Sequence, residues 1–569
     1  MESGAGVPAA GPARPFPGGR PGGRFGGTFR GGDGVLLALL LVLHLVPVWA
    51  FPYFASQDGP SHVYNARVIW EYRDPERTSL REYYTLNERP EPNLAGHGLL
   101  AAPLFATSPV AAEKLFLSLY VLLLPLAALY ALRGIRRESG FLVVLAFPFV
   151  YSHSLHMGFY NFVLSLPMFL FVVGFWLRRR DRFGVRETLA MAALMLAVYF
   201  SHLLTVVIAC LAVGALAAWF ALLDGVRGAG GGRPSLRIVL RSLGARVRGP
   251  FLASVPAVVL TAAYVFRQRS APPVFPSGAE VLDRAVRLAG FDGIVSFSKA
   301  EVVPSLALVG VFAAAGLYFV VAKLRGRRAW SPWDGFLVLV AGFTVLYFLA
   351  PEGGLGGGII APRLTLFVFL AWLLWLGGQA YSPAARRGIR VAGVAITVLL
   401  FALHWRKYAE LAGYYEEYVS VARYVEPNST LLALTFSQGA AGEDGAPLSW
   451  RIDPFLHAAG YVGAARPGVV VLNNYEARYD YFPVAFRPGR NPFDHIGEVG
   501  SPDRDPVDFL TYPARTGGRI DYVLLWGVRE AQRGDPRVVD VYRQLGEAFR
   551  PVYRSSRGLA ELYRRNGPG

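Results

Sequence analysis

The stretch VLLALLLVLHLVPVWAFPYFASQDGPSHVYNA, residues 35–66, changes character partway along. Residues 35–54 are apolar but for His44, and a helix of that length, at about 1.5 Å per residue, matches the roughly 30 Å hydrocarbon core of a bilayer. Directly beyond it stand Asp58, His62, Asn65 and Arg67, all within about three helical turns. A chain that leaves lipid and at once presents an acid, an imidazole, an amide and a guanidinium raises two questions. How many times does it cross, and on which side do these groups stand?

About eleven apolar runs can be read, mostly of about 15–22 residues and long enough, with tilt, to span as helices. After 35–54 they lie near 111–132, 141–152, 157–177, 187–201, 203–223, 250–268, 303–323, 335–350, 363–378 and 389–405. Over 569 residues, 53% are hydrophobic and 17% charged, with a mean hydropathy of +0.35. That is too apolar for a water-soluble protein of this size and predicts an α-helical polytopic membrane protein. The net charge of +17 sits on arginines in short loops, not on a basic stripe with aromatic platforms, so no nucleic-acid partner is expected. The single cysteine, Cys210, lies in an apolar run, which excludes an intrachain disulfide and a thiolate metal cluster. No small-x-small cleavage site follows the first run, which reads as a retained helix.

Positive residues in short loops stay cytoplasmic. RGIRRES, RRRDRFGVR, RGAGGGRPSLRIVLRSLGARVRG, KLRGRRAW and ARRGIR, with the arginine-bearing N-terminus, therefore read as inside. The alternate set is 55–110, YSHSLHMG, the SHLL turn, 269–302 and PEGGLGGGIIAPR. These read as outside, and so does the chain after Trp405. The outer loops hold most of the unusual polar residues: Asp58, His62, His97, His153, His156, Asn161, His202, Glu352 and Arg363. A transporter would place such groups near the midplane on broken helices related by repeats, and no repeat is visible.

In QDGPSHVYNA, Asp58 before Gly59-Pro60 reads as a helix start, after which Asp58, His62 and Asn65 fall at i, i+4 and i+7 on one face. Two readings stand. Asp58 caps a short interfacial helix, or it is held at the membrane surface as a general base or metal ligand, with His62 and Asn65 orienting it or its substrate. His153 and His156 in YSHSLH and His202 in YFSHLL reach the same level as the start of GFYNFVLSLPMF, but without HExxH or comparable spacing. Interfacial histidines are more often structural, so His153 and His156 are weak candidate ligands for a divalent cation. PEGGLGGGIIAPRL lacks the Lys-Ser/Thr of a nucleotide-binding loop. Its glycines can form an anion nest, and Pro362-Arg363 opens a helix whose N-terminus favours negative charge. The alternative is a flexible loop with Arg363 snorkelling to the surface.

A cytoplasmic N-terminus, a first helix followed by a long outer loop with an acid just past the membrane (QDGPSHVYNA), many further helices and an extracytoplasmic C-terminal domain resemble the C-type glycosyltransferases. The resemblance is to the bacterial branch related to the protein mannosyltransferase and lipid A aminoarabinose transferase group. It implies a membrane glycosyltransferase that takes a sugar from a polyprenyl-phosphate carrier and hands it to an envelope glycan, lipid or protein acceptor on the outer face of a bacterial inner membrane. By position Asp58 matches the family's catalytic acid, although Gln57-Asp58 stands where an Asp-Glu or Asp-Asp pair is often found. MGFYNF and GGGIIAPRL resemble patterns of the same branch. On this reading Asp58 and His62 are catalytic, and Asn65, Arg67, His97, Asn161, His202, Glu352 and Arg363 bind substrate, with a divalent cation as the one cofactor to consider. The competing functions are a lipid or glycan transporter and a non-catalytic membrane scaffold.

Three segments are expected: 1–34, rich in Gly and Pro and disordered; 35–405, the membrane domain with its first outer loop at 55–110; and 406–569, a small α/β domain. In the last, TLLALTF, GVVVLNN and DYVLLWG read as buried strands and 529–546 as a helix. NNYEARYDYFPVAFRPGRNPFDHIG either covers the outer cavity or packs the domain onto the bundle.

Overall fold

The computed structural model describes residues 31–567 apart from 230–232, 269–272, 352, 355–356, 437–441, 443–444 and 498–505. Ten helices among the described residues are long and apolar enough to cross a membrane, and each coincides with one of the apolar runs. The remaining run forms Val185–Ser201, 17 residues packed against Tyr160–Arg179 and Leu236–Arg267. The protein is an α-helical, multi-pass membrane protein with a small mixed sheet near its C-terminus. The first span begins at Gly31, four residues before the expected start. Residues 1–30 of the expected disordered segment lie outside the described residues.

Pro109–Ile135, Arg137–Phe149, Tyr160–Arg179 and Ile360–Gly377 make the middle of the bundle, with mostly buried side chains. Arg137–Phe149 is a 3₁₀-helix of 13 residues. Its rise of about 2.0 Å per residue carries this short run about 26 Å, where an α-helix would reach only about 20 Å. Leu236–Arg267 lies at the periphery and exposes Phe251, Leu252, Val259 and Phe266, the apolar surface that lipid requires.

Pro383–Val419 is one helix of 37 residues. The boundary expected at 405/406 falls inside it, because the change from apolar to polar residues marks the exit from the lipid layer while the backbone hydrogen bonding continues. The C-terminal domain then builds a five-stranded sheet ordered Val470–Val471, Thr430–Thr435, Tyr522–Trp526, Ala560–Arg565, Phe549–Arg554. The first three strands are parallel and the last two antiparallel. TLLALT and YVLLW are buried along their whole length, as continuous apolar strands of a parallel pair must be. The helix before the terminal hairpin is Pro536–Ala548, its start capped by Asp535.

A second pairing ties the domain to the bundle. Tyr84–Leu86, in the first loop, runs antiparallel to Val484–Phe486, with Thr85 opposite Ala485. The domain therefore sits at the end of the bundle that also carries Asp58. The arginines at the last turns of Pro109–Ile135 and Tyr160–Arg179 lie at the other end.

Candidate active site

The position of Asp58 is set by backbone. Gln57 N donates to His156 O (2.9 Å) and Asp58 N to Met157 O (3.1 Å), splicing the exit of the first span to the YSHSLHMG loop. The splice requires Gly158. Its φ is +79°, and a Cβ there would stand 2.4 Å from Gly59 N and 2.6 Å from Asp58 N. Helix Gly59–Glu71 starts where the sequence places it, with proline in its first turn. Asp58 occupies the N-cap, yet its side chain makes no capping hydrogen bond. Oδ1 accepts from Gln57 Nε2 (3.2 Å) and lies 3.7 Å from His457 Nε2, and the Tyr475 hydroxyl donates to the same carboxylate. Burial pushes the Asp58 carboxyl up to about 6, against the opposing pull of His62, Gln57 and Tyr475, which brings its titration close to neutral pH.

The expected face of the helix holds together. His62 Nδ1 lies 3.2 Å from His97 Nε2 and 2.9 Å from Glu476 Oε1, and His97 Nε2 lies 2.8 Å from Glu476 Oε2. Asn65 Nδ2 donates to Glu476 Oε2 (2.9 Å), and Asn474 Nδ2 donates to Asn65 Oδ1 (2.8 Å). Burial would raise the Glu476 carboxyl, but the imidazoles of His62 and His97 more than offset it and hold it well below the usual carboxylate range. Burial depresses His457 to about 3, leaving it a neutral imidazole beside Asp58, stacked on Tyr475 at 4.3 Å. Under the cluster, Tyr160 stacks on His62 and donates to Glu113 Oε1 (2.6 Å), whose other oxygen accepts from Tyr461 (2.7 Å).

Arg363 is the fourth residue of Ile360–Gly377. Its guanidinium lies 4.2 Å from the centroid of Phe159 and 5.5 Å from that of Phe162, within electrostatic reach of Asp58, Tyr475 and Tyr481. Nε is buried without a hydrogen-bond partner, and among the described residues no carboxylate pairs with it. His202 packs edge-on against Phe162 and is electrostatically coupled to Arg363. Asn161 acts one step removed: its Oδ1 accepts from Gly96 N (2.7 Å) and so fixes the helix that carries His97.

Other expected residues stand apart. Arg67 turns to Glu71 (2.5 Å), away from the Asp58 face. His156 is used up between Ser296 Oγ (2.8 Å) and the Tyr408 hydroxyl (2.6 Å), and His153 is buried nearby. Among the described residues neither belongs to a group that could hold a metal ion; His62, His97 and Glu476 do. Glu352 lies outside the described residues. His457, Asn474, Tyr475 and Glu476 were not singled out as site residues in the sequence; the one pointer was the aromatic segment NNYEARYDYFPVAF, which packs against the Asp58 face.

The arrangement offers a buried carboxylate and a guanidinium without an acidic partner among the described residues, at one end of a membrane bundle and framed by aromatic rings. It can accept a proton at Asp58 and meet an anion at Arg363. No protein-family model matches the chain. No curated protein matches it either. Solved structures similar to it include the single-particle cryo-EM structure of the arabinofuranosyltransferase AftD from mycobacteria, with a TM-score of 0.46 and 15% identity, over 95% of this chain and 40% of that one. The chain spans less than half the length of that enzyme.

Proposed function

We propose that the chain is a membrane glycosyltransferase that moves a hexose or pentose from a polyprenyl-phosphate carrier to an envelope glycan, lipid or protein acceptor on the outer face of a bacterial inner membrane. The observation that carries this reading is Asp58: a buried carboxylate at a helix start that caps nothing, within electrostatic reach of an arginine that has no acidic partner among the described residues. In the proposed step an Asp58 oxygen takes the proton of the acceptor hydroxyl as its oxygen attacks the anomeric carbon. The bond from that carbon to the phosphate oxygen breaks, and the electron pair leaves with polyprenyl phosphate. Arg363 meets the charge that develops there. The carrier's tail stays in lipid throughout, which accounts for a site at the end of an apolar bundle.

The test is transfer by purified protein in detergent, where there is no bilayer to cross. Asp58→Asn is expected to lower the rate by about 10²-fold or more. Its stability should change by no more than about 0.5 kcal/mol, since asparagine still accepts from Gln57 and Tyr475 and no cap is lost. Undiminished transfer by the Asn variant would remove Asp58 from the chemistry. A wild type that carries the lipid across vesicles but makes no product would replace the reading by a transporter.

A further inference from the structure

His62, His97 and Glu476 come from three separate parts of the chain: the first-loop helix, the helix Leu94–Ala101 and the C-terminal segment. All three are at most 5% exposed. Their ligating atoms converge on one point: a nitrogen of each ring and a carboxylate oxygen all lie within 4.8 Å of one another. The Asn93 carbonyl, 3.1 Å from His97 Nδ1, can only accept, so Nδ1 carries a hydrogen and Nε2 of the neutral ring is a lone pair. That lone pair faces Glu476 Oε2 at 2.8 Å, and His62 Nδ1 stands 2.9 Å from Glu476 Oε1. Glu476 Oε1 itself is buried without a hydrogen-bond partner.

One divalent cation would use all of these atoms at once, because all three groups are then donors of lone pairs. We propose that His62, His97 and Glu476 form a metal site, suited best to zinc, that fastens the C-terminal domain to the bundle beside Asp58. Two imidazoles and one carboxylate are a set zinc takes where a fourth position stays open to water or substrate. Tetrahedral bonds of about 2.0–2.1 Å separate ligand atoms by about 3.3 Å, a spacing that falls within the 4.8 Å span of the three ligand atoms. The outer hydrogen bonds are those such a site requires: Asn93 O holds the His97 ring, and Asn65, itself held by Asn474, holds the carboxylate. The proposal does not depend on the transferase reading.

Metal analysis of the full chain, purified in detergent without chelator, should find roughly one zinc per chain. Stripped protein should take up about one equivalent again, with a rise in thermal midpoint. Glu476→Gln and His97→Gln should each weaken zinc affinity about tenfold or more. Should these variants fail to fold, zinc-edge X-ray absorption of the wild type gives the answer alone: two imidazole shells, oxygen and no sulfur. A wild type that neither carries nor takes up zinc, cobalt or manganese at micromolar concentration overturns the proposal. So does undiminished zinc affinity in a folded variant, or a spectrum without imidazole. None of these readouts involves sugar transfer, so failure here and failure of the transferase reading are told apart.

Discussion

An aspartate just before a helix ordinarily accepts from a backbone amide of the first turn, from an extended conformation. Asp58 has φ −97° and ψ −14°, already helical, and from there its carboxylate turns to Gln57, Tyr475 and His457. For Arg363 two readings are open in the sequence, contact with an anion and snorkelling to the surface. Instead of snorkelling to the surface it lies half-buried over Phe159 and Phe162, which fix the plane of its guanidinium. If that plane receives the carrier phosphate, Arg363→Ala should raise the apparent dissociation constant for the donor about tenfold or more, the equivalent of a lost charged hydrogen bond. Arg363→Lys should recover only part of it, because an ammonium lacks the fork. Donor titration decides, and unchanged affinity in the Ala variant removes Arg363 from the site. At this scale Asp58, His62 and Asn65 were legible because helical spacing puts them on one face. Glu476 was not, since its hydrogen bond to Asn65 spans 411 residues and no local pattern sets one glutamate of an aromatic loop apart.

Between elements, the site depends on two short junctions that no hydropathy plot registers. One is the pairing of Tyr84–Leu86 with Val484–Phe486, strands of three residues each, too short for alternation to reveal. The other is the splice at Gly158, where MGFYNF meets the exit of the first span. The long spans were legible because lipid imposes composition on every residue, whereas a junction is specified by a few backbone hydrogen bonds. The splice makes a strong prediction. Gly158→Ala must hold a left-handed conformation that costs an L-residue roughly 1–2 kcal/mol. It also places a Cβ 2.4 Å from the backbone nitrogen of Gly59, and only movement of residues 57–59 relieves that. The variant should therefore lose thermal stability and transfer together, unlike Asp58→Asn, which should lose transfer alone. A Gly158→Ala protein with wild-type midpoint and rate would show that the splice does not position Asp58.

Across the whole molecule, the arginines at the ends of Pro109–Ile135 and Tyr160–Arg179 lie at one end of the bundle, and Asp58, Arg363 and the C-terminal sheet at the other. Short basic loops are retained in the cytoplasm, and on that rule we propose that the molecule is oriented with its site outward. The orientation can be read at two glycines whose surroundings admit a side chain without contact within 4 Å: Gly388, in the arginine-bearing start of Pro383–Val419, and Gly534, in the C-terminal domain. In a Cys210→Ala background, a membrane-impermeant maleimide should label Gly534→Cys in intact spheroplasts. It should reach Gly388→Cys only in inside-out vesicles. Both sites are exposed, so failure to react reports the membrane and not burial. The reverse pattern would place Asp58 and Arg363 on the cytoplasmic face. An acceptor in the outer envelope could not then reach the carboxylate, and the outer-face transfer proposed for this chain would have to be given up even if purified protein still moved sugar in detergent.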